Sequence, residues 1–441
     1  MTIHNTILVP TIFILFCLTA CTQKTTELQP NIIVIMADDL GYGGIGCYGN
    51  TEISTPCLDS LAAGGLRFTD FHANAPVCSP TRAALLTGRY QQKSGLEGVI
   101  YVRGETRATG LDTSETTLAE VLKEAGYQTG MMGKWHLGYD QKYNPVYHGF
   151  DEFYGYRSGN IDYHSHYDNA GIYDWYHNLD TISEKGYVTD LITKHAVEFI
   201  EKNQESPFFL YVAHEAPHVP FQGRDDPAYR FPGQEFPYLG IVEDRHRAYR
   251  EMVEVMDEGI GAIHKKLEAL NLEENTLLFF ISDNGGLRGY GHNDPLHGAK
   301  GGLYEGGHRV PAIAYWPGTI MPGTSDALLM TFDLFPTCMA IAGMDRAADL
   351  DLDGTDFLPV LMGTGSLQER DLFWRYRRHK AVRSGKMKLL VTQQDTLLFD
   401  LETDLEEENN LAAAKIELKQ NLAAKLHRWE EMINDYELKT D

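Results

Sequence analysis

The chain alternates between short apolar runs and longer segments with helical periodicity. Four runs are almost entirely apolar, as is typical of strands covered on both faces, and they span residues 32–37, 208–213, 277–282 and 310–315. Between them, apolar residues recur at helical spacing in 117–124, 188–202 and 244–270. Strands that alternate with helices predict an α/β fold with a large, mostly parallel sheet sandwiched by helices.

The pattern changes after Gly343, where the segments become shorter and alternate between apolar and polar residues. Two such segments, 380–392 and 396–401, are followed by an acidic patch at 404–408 and a predicted helix at 415–433. This order predicts a smaller α+β subdomain with an antiparallel sheet and a closing helix. We therefore expect a large N-terminal domain over 31–345 and a C-terminal subdomain over 346–441.

The first twenty residues form an uncharged segment that ends in small residues before Cys21. Its apolar run, 7–20, is too short to cross a bilayer comfortably, so 1–20 is predicted to be a signal peptide. Residues 18–21 resemble a bacterial lipobox with Cys21 as the lipidated residue; a plain signal peptide is the alternative. Residues 21–30 would then be a tether. We expect export, to the periplasm or the outer membrane, with membrane contact only through the lipid.

The net charge of −24 argues against nucleic acid as a partner. Any anionic ligand would therefore have to be attracted locally, by a small cluster of basic residues within a pocket. The six cysteines include no C-x-x-C pair, which makes a disulfide framework or a structural zinc site unfavourable.

A nucleophile motif stands at 78–82, where Cys78 is followed by Pro80 and Arg82. Pro80 favours a first helical turn, and Gly88 can end that helix. Cys78 would then lie at a helix N-terminus, which favours negative charge, with Arg82 one turn further on. A buried cysteine that caps a helix is the alternative interpretation.

Polar residues follow three of the apolar runs. Since the carboxyl ends of parallel strands meet at one edge, we expect these residues to lie close together there; they are Asp38, Asp39, His214, Asp283 and Asn284. The three aspartates and Asn284 offer only oxygen donors, which suit Ca²⁺ or Mg²⁺ better than zinc. Solvated strand caps are the alternative.

Residues 214–218 spell the zinc-protease signature H-E-x-x-H. That signature requires both histidines on one face of a helix. Pro217 disrupts a helix interior, and the segment directly follows a predicted strand, so we reject the zinc-protease interpretation.

Several blocks together resemble the formylglycine-dependent, arylsulfatase-like sulfatases of the alkaline phosphatase superfamily. The C-x-P-x-R motif is followed by Leu-Thr-Gly-Arg at 86–89, and further matching blocks appear in the family's order at 31–50, 130–138, 214–221, 279–286 and 298–318. They cover most of residues 31–400, and the chain looks like a bacterial carbohydrate sulfatase.

The resemblance implies two cofactors. A maturation enzyme would oxidise Cys78 to formylglycine, whose hydrated aldehyde is the nucleophile in this family. A divalent cation, Ca²⁺ with Mg²⁺ possible, would be bound by the modified residue 78 and by Asp38, Asp39, Asp283 and Asn284.

The resemblance also assigns catalytic roles to basic residues. Lys134 and Lys300 would neutralise sulfate oxygens, and Arg82 would hold the formylglycine. His218 would reach the scissile ester oxygen and, with Lys300, protonate the leaving alcohol. His136 would contact the second hydroxyl and deprotonate it, which expels sulfate. Lys134 and His136 also alternate as strand residues do, so we expect both side chains to point to one side.

A sulfated carbohydrate is the expected substrate, with galactose-type or glycosaminoglycan sugars as the leading targets. The tyrosine-rich segment 147–177 carries Asp162, His164 and His166, and it would either bind a sugar ring or serve only as a packing loop. Arg103 would meet a uronate or a second sulfate.

Two alternative functions remain. One is hydrolysis of phosphate or phosphonate esters by a related enzyme of the same superfamily. The other is a non-catalytic glycan-binding lipoprotein in which Cys78 is never converted.

Overall fold

A ten-stranded sheet lies between two helical layers, and a separate four-stranded sheet follows it in the chain. The computed structural model describes residues 29–234, 236–344 and 349–440. The predicted signal peptide (1–20), Cys21, nearly all of the tether (21–30) and the predicted domain boundary at 345/346 lie outside these residues. None of the helices described in these ranges has the length and apolar character needed to span a membrane.

The strands up to residue 330 form the ten-stranded sheet, except for the third and the twelfth, which pair with each other. They are β1 (Asn31–Ala37), β2 (Leu66–Phe68), β3 (Phe71–His72), β4 (Gln128–Lys134), β5 (Glu152–Tyr156), β6 (Tyr176–His177), β7 (Asp180–Thr181), β8 (Phe208–Ala213), β9 (Thr276–Ser282), β10 (Ala312–Tyr315), β11 (Gly323–Ser325) and β12 (Leu329–Met330).

The helices are α1 (Pro56–Gly64), α2 (Cys78–Thr87), α3 (Leu118–Glu124), α4 (Val188–Lys202), α5 (Arg245–Ala269), α6 (Glu305–His308), α7 (Leu334–Ile341), α8 (Leu358–Leu361) and α9 (Ile416–Thr440). Local sequence fixes several of their ends. Thr117 and Glu120 form a reciprocal capping box at the start of α3. Gly88, with φ of 67°, ends α2 as its sequence predicts.

The strand order is β11-β2-β10-β9-β1-β8-β4-β5-β6-β7. The five neighbours from β9 to β5 in that order are all parallel, which confirms the predicted α/β sheet. One detail differs, because the apolar run at 310–315 supplies β10, which pairs antiparallel with β9 and β2. An apolar run therefore indicated a buried strand but not its direction.

Both faces of the sheet are buried, which explains the continuous apolar runs. Along β1, Val34 and Met36 belong to one hydrophobic cluster, whereas Ile33 and Ile35 belong to the cluster on the opposite face. Successive side chains of a strand point to opposite faces, so each strand contributes to two cores.

The C-terminal sheet is antiparallel throughout, with strands β13 (Asp371–Tyr376), β14 (His379–Ser384), β15 (Met387–Val391) and β16 (Thr396–Asp400). Its core includes Trp374 and Leu389, together with Leu426 and Trp429 of α9. The predicted α+β architecture with a closing helix is confirmed, although β13 was not predicted.

Buried charges join this sheet to α6. Lys388 on β15 is fully buried, and its Nζ lies 2.8 Å from Glu305 Oε1 and 2.8 Å from Glu407 Oε1. Arg309 also reaches Glu305, at 3.2 Å. Burial raises the pKa of Glu407 to about 7 although Lys388 opposes that shift. Such a cluster is stable only while its opposite charges remain paired.

Replacing Lys388 by Met should destabilise the protein by about 3–5 kcal/mol, because Glu407 loses its cation inside the protein. The control is Lys386→Met, which removes an exposed pair with Glu402 and should change little. Urea unfolding followed by circular dichroism measures both variants. Equal stability of the two would contradict the structural role of the cluster.

A pH effect should come from His148, which is buried against Trp135 and has no hydrogen-bond partner among the described residues. Burial lowers the pKa of His148 to about 4, with a smaller opposing effect of Asp112. The unfolded chain takes up this proton first as the pH falls below about 6.5, so stability should decrease from there to pH 4 by about 1.4 kcal/mol per unit. In His148→Phe this part of the slope should disappear; an unchanged slope would assign the effect to other groups.

Candidate active site

Three carboxylates and one amide meet at the carboxyl edge of the large sheet. Asp38 and Asp39 follow β1, while Asp283 and Asn284 follow β9, and the register pairs Ala37 with Ser282 immediately before them. All four side chains are buried. The predicted convergence of these residues is therefore present.

Three cations compensate the three carboxylates. Arg82 Nη2 lies 2.8 Å from Asp283 Oδ2 and 3.4 Å from Asp38 Oδ2. The Nζ atom of Lys134 contacts Asp38, and that of Lys300 lies 2.6 Å from Asp39 Oδ1. Burial and the nearby Asp38 raise the pKa of Asp283 despite Arg82.

The donor set fits a hard divalent cation. Among the described residues, Asp38 Oδ1 and Asn284 Oδ1 are buried without any hydrogen-bond partner. Buried oxygens of this kind are costly unless something binds them. Carboxylate and amide oxygens are the ligands that Ca²⁺ and Mg²⁺ prefer, so these residues can hold such an ion.

Cys78 is the first residue of α2, and only 2% of its surface is exposed. Lys300 Nζ lies 3.6 Å from its Sγ. Burial raises the pKa of Cys78 to about 12, although Lys134 and Lys300 act in the opposite direction, so the unmodified side chain is a neutral thiol at physiological pH. Ligand atoms of Cys78, Asp38, Asp39 and His218 lie within 4.8 Å of one another.

Two histidines complete the polar floor above the carboxylates. His218 Nδ1 donates to Val219 O at 2.6 Å, and its Nε2 lies 3.7 Å from Asp39 Oδ2. His136 Nε2 donates to Ile100 O at 2.9 Å, and its buried Nδ1 has no partner among the described residues. In neutral His136, Nδ1 therefore keeps its lone pair.

The prediction that Lys134 and His136 alternate along one strand was wrong. β4 ends at Lys134, and His136 follows in a loop with a positive φ of 56°. Asp39 also has a positive φ, of 65°. Left-handed backbone at non-glycine residues is costly and concentrates at functional sites, which is where both residues lie.

Arg82 and His214 are both buried at the carboxyl edge of the large sheet. Arg82 is fully buried, and its contacts are with Asp283, Asp38 and the carbonyl of Lys134, so it lies beneath the site. His214 is buried without a partner among the described residues, and burial lowers its pKa to about 3. Residues 214–223 form a loop after β8, so the helix that a zinc-protease signature requires is absent from this described segment.

A cavity of about 250 Å³ opens above Cys78. Its floor contains Cys78, His136, His218 and Lys300, and its walls carry four tyrosines and two asparagines that the sequence did not single out: Tyr101, Tyr139, Tyr238, Tyr376, Asn160 and Asn169. Tyr238 comes from the long loop between β8 and α5, and Tyr376 ends β13 of the C-terminal sheet. Only the length of that loop could have drawn attention to Tyr238.

The prediction that Asp162 binds substrate was wrong. Asp162 is fully buried, and its carboxylate accepts backbone N–H groups of Ser165 at 2.8 Å, Tyr229 at 2.9 Å and Arg230 at 3.0 Å. A carboxylate satisfied in this way stabilises two loops against each other and cannot reach a ligand.

The same correction applies to the other predicted sugar contacts. His164 Nε2 pairs with Gly223 O at 3.1 Å, and His166 Nε2 pairs with Gly186 O at 3.0 Å. Neither histidine lines the cavity, and Arg103 lies exposed outside it. Within the described segment 147–177, no tyrosine lines the cavity, but Gly159, Asn160 and Asn169 do, so the segment contributes to the walls through these residues and not through its aromatic rings.

Family models match almost the whole described chain. The model described as "Sulfatase" matches residues 30–344, and "N-sulphoglucosamine sulphohydrolase, C-terminal" matches residues 298–433. The two matches together cover both the large sheet and the C-terminal sheet.

Curated relatives and solved structures agree with these matches. N-acetylgalactosamine-6-sulfatase of Canis lupus familiaris is 37% identical over 78% of this chain and 68% of its own length. Arylsulfatase A of Bos taurus is 37% identical over 85% of this chain and 77% of its own. The crystal structure of Ps i-CgsB in complex with k-i-k-neocarrahexaose superposes with a TM-score of 0.83 at 33% identity, over 91% of this chain and 92% of that one.

These matches agree with the geometry, in which a buried cysteine and several basic groups line one cavity and an oxygen-rich cluster lies next to them. The chain therefore belongs to the sulfatase family and is a sulfuric ester hydrolase.

Proposed function

We propose that the protein hydrolyses sulfate esters of carbohydrates with a formylglycine derived from Cys78. The observation that carries the proposal is the convergence of Cys78, Asp38, Asp39 and His218, whose ligand atoms lie within 4.8 Å of one another. They come from separate segments of the chain and lie beneath a cavity into which Lys300 also projects its charge.

Similar proteins support a carbohydrate substrate. The solved structure with the TM-score of 0.83 was determined with a neocarrahexaose, and a relative 37% identical to this chain is an N-acetylgalactosamine-6-sulfatase. We therefore propose a sulfated galactose-type or glycosaminoglycan sugar as the substrate.

The cation site is proposed to hold Ca²⁺, or alternatively Mg²⁺, through Asp38, Asp39, Asp283 and Asn284. When bound, such an ion polarises an oxygen ligand and stabilises negative charge. The hydrated aldehyde of formylglycine supplies two hydroxyl groups, one for attack at sulfur and one whose deprotonation allows release of sulfate. A neutral, buried thiol at position 78 offers neither.

The chain's own residues account for the charge and the protons. Lys300 lines the cavity beside Cys78, and Lys134 lies directly beneath, so both favour a sulfate group there. Lys300, or His218 when its Nε2 carries a proton, can protonate the leaving oxygen. The lone pair on His136 Nδ1 makes this residue the base available to a hydroxyl group at position 78.

Export and maturation complete the proposal. We propose that Cys21 is lipidated, that the protein resides in the periplasm or at the outer membrane, and that a formylglycine-generating enzyme converts Cys78. Uncharged residues 1–20 and the lipobox-like residues 18–21 support export and lipidation.

Cys78→Ala should lose sulfatase activity by at least about 10⁴-fold, because no nucleophile remains. The control is Cys57→Ser, a partly exposed thiol outside the cavity, which should retain the wild-type rate. Sulfate release from defined sulfated oligosaccharides measures turnover, and mass spectrometry of the peptide that contains residue 78 detects the aldehyde. Turnover with an unmodified thiol, or faster hydrolysis of aryl phosphate than of aryl sulfate, would contradict the proposal.

Calcium should raise the melting temperature, because a ligand of the native state at 100 times its Kd adds about 2.7 kcal/mol. Asn284→Ala should weaken this shift because it removes one of the two unpartnered oxygens. Glu268→Gln, at the exposed member of the otherwise half-buried His264–Glu268–Glu273 group, is the control and should keep the full shift. Equal shifts in both variants would place the ion elsewhere.

A further inference from the structure

The cavity has two chemically different parts. Its floor is basic and contains Lys300, His136 and His218 next to Cys78. Among the described residues that line the walls, none is an aspartate, a glutamate, an arginine or a second lysine. The walls instead present phenol, amide and aliphatic groups.

We propose that these walls select a pyranose ring that carries one sulfate and no other charge, and that Tyr238 is the principal platform for that ring. This inference rests on the proposed function, since the sulfate is placed at the basic floor. It adds that a uronate, or a second sulfate on the same ring, is disfavoured.

Tyr238 joins the two parts of the cavity. Half of its surface (50%) is exposed although it lines the cavity, so its ring has apolar area available for a ligand. Tyr238 lines the same cavity as Lys300 and Cys78, and burial raises its pKa to about 12, so its hydroxyl is a neutral phenol at physiological pH. The exposed ring can stack on the apolar face of a sugar, and the neutral phenol adds no charge beside the sulfate.

Two further tyrosines come from different parts of the chain. Tyr101 is 53% exposed and belongs to the loop after α2, and Tyr376 ends β13. Tyr101 and Tyr376 line the same cavity as Cys78. The aromatic walls therefore surround the position that the sulfated carbon would occupy above Cys78.

The side-chain amide of Asn160 is held so that its N–H groups remain available as donors. The buried Arg230 donates from Nη1 to Asn160 Oδ1 at 2.7 Å, which leaves the amide nitrogen of Asn160 as a donor. The guanidinium group of Arg230 therefore stays inside the protein, and the neutral amide of Asn160 lines the cavity in its place. Such a donor suits a hydroxyl group and provides no counter-charge for a carboxylate.

The nearest arginines on the 95–110 loop do not change this conclusion. Arg107 lies 4.9 Å from the ring centroid of Tyr139 and donates to Val102 O at 3.0 Å. At another wall of the cavity, Arg377 lies 5.3 Å from the ring centroid of Tyr376. None of Arg103, Arg107 and Arg377 is among the residues that line the cavity. A second anionic group enclosed between the lining residues would therefore lose water without contacting any of these arginines, which is unfavourable.

The test compares galactose and N-acetylgalactosamine monosulfates with the corresponding disulfates and with a disaccharide in which a uronate adjoins the sulfated ring. We expect kcat/KM to be at least about 10-fold higher for the best monosulfate than for its charged counterparts, which corresponds to one lost charge pairing. Equal or faster turnover of the more highly charged sugars would overturn the inference.

Variants test the walls directly. Tyr238→Ala should lower kcat/KM for the best monosulfate by about 10-fold, mostly through KM, because a stacking platform is lost. Asn169→Lys adds a cation to the wall and should reduce the ratio of kcat/KM for the monosulfate to kcat/KM for the disulfate. Tyr147→Ala is the control, since Tyr147 is exposed outside the cavity, and it should behave as the wild type. Unchanged kinetics in Tyr238→Ala would contradict the proposal.

The two levels of the proposal fail in different ways. If the wild-type protein with converted Cys78 releases sulfate from neither aryl sulfate nor any sugar, the proposed function itself is wrong. If it releases sulfate readily but favours doubly charged sugars, only the inference about the walls is wrong.

Discussion

Three buried carboxylates at the ends of two neighbouring parallel strands are the constraint on which the rest of the site depends. Asp38, Asp39 and Asp283 repel one another inside the protein, so each must have positive charge nearby. Arg82 from α2, Lys134 from β4 and Lys300 from a glycine-rich loop meet this requirement. Meeting it also brings Cys78 and the basic groups of the cavity floor to one place.

Sequence patterns predicted the central sheet well because its middle strands are buried on both faces. All four apolar runs correspond to strands of this sheet, namely β1, β8, β9 and β10, and the polar residues that follow the first three converge as expected. β4 and β5 were harder to predict because glycines interrupt their apolar character. Gly133 has a φ of 111° and approaches Ala213 O so closely that a side chain would clash, so its place in a strand depends on tertiary packing.

The predicted sugar contacts failed for a different physical reason. Its residue type and its aromatic neighbours in the sequence suggested that Asp162 binds the sugar. The same features fit a structural aspartate whose buried carboxylate accepts several backbone N–H groups, and this is what Asp162 does. The true walls of the cavity combine Tyr101, Tyr238 and Tyr376 from distant segments. Periodicity and spacing describe single elements, so neither reveals a surface that exists only after the C-terminal sheet has packed against the large domain.

The position of Tyr376 has a consequence for how specificity can evolve. It ends β13 immediately before the tight turn at Arg377 and Arg378, and the same sheet is held in place further along by Lys388. Changes in the length or composition of this hairpin tip can therefore alter the rim of the cavity while the nucleophile and its carboxylates stay untouched. A family built in this way can diversify toward new glycans through one short turn and keep its chemistry constant.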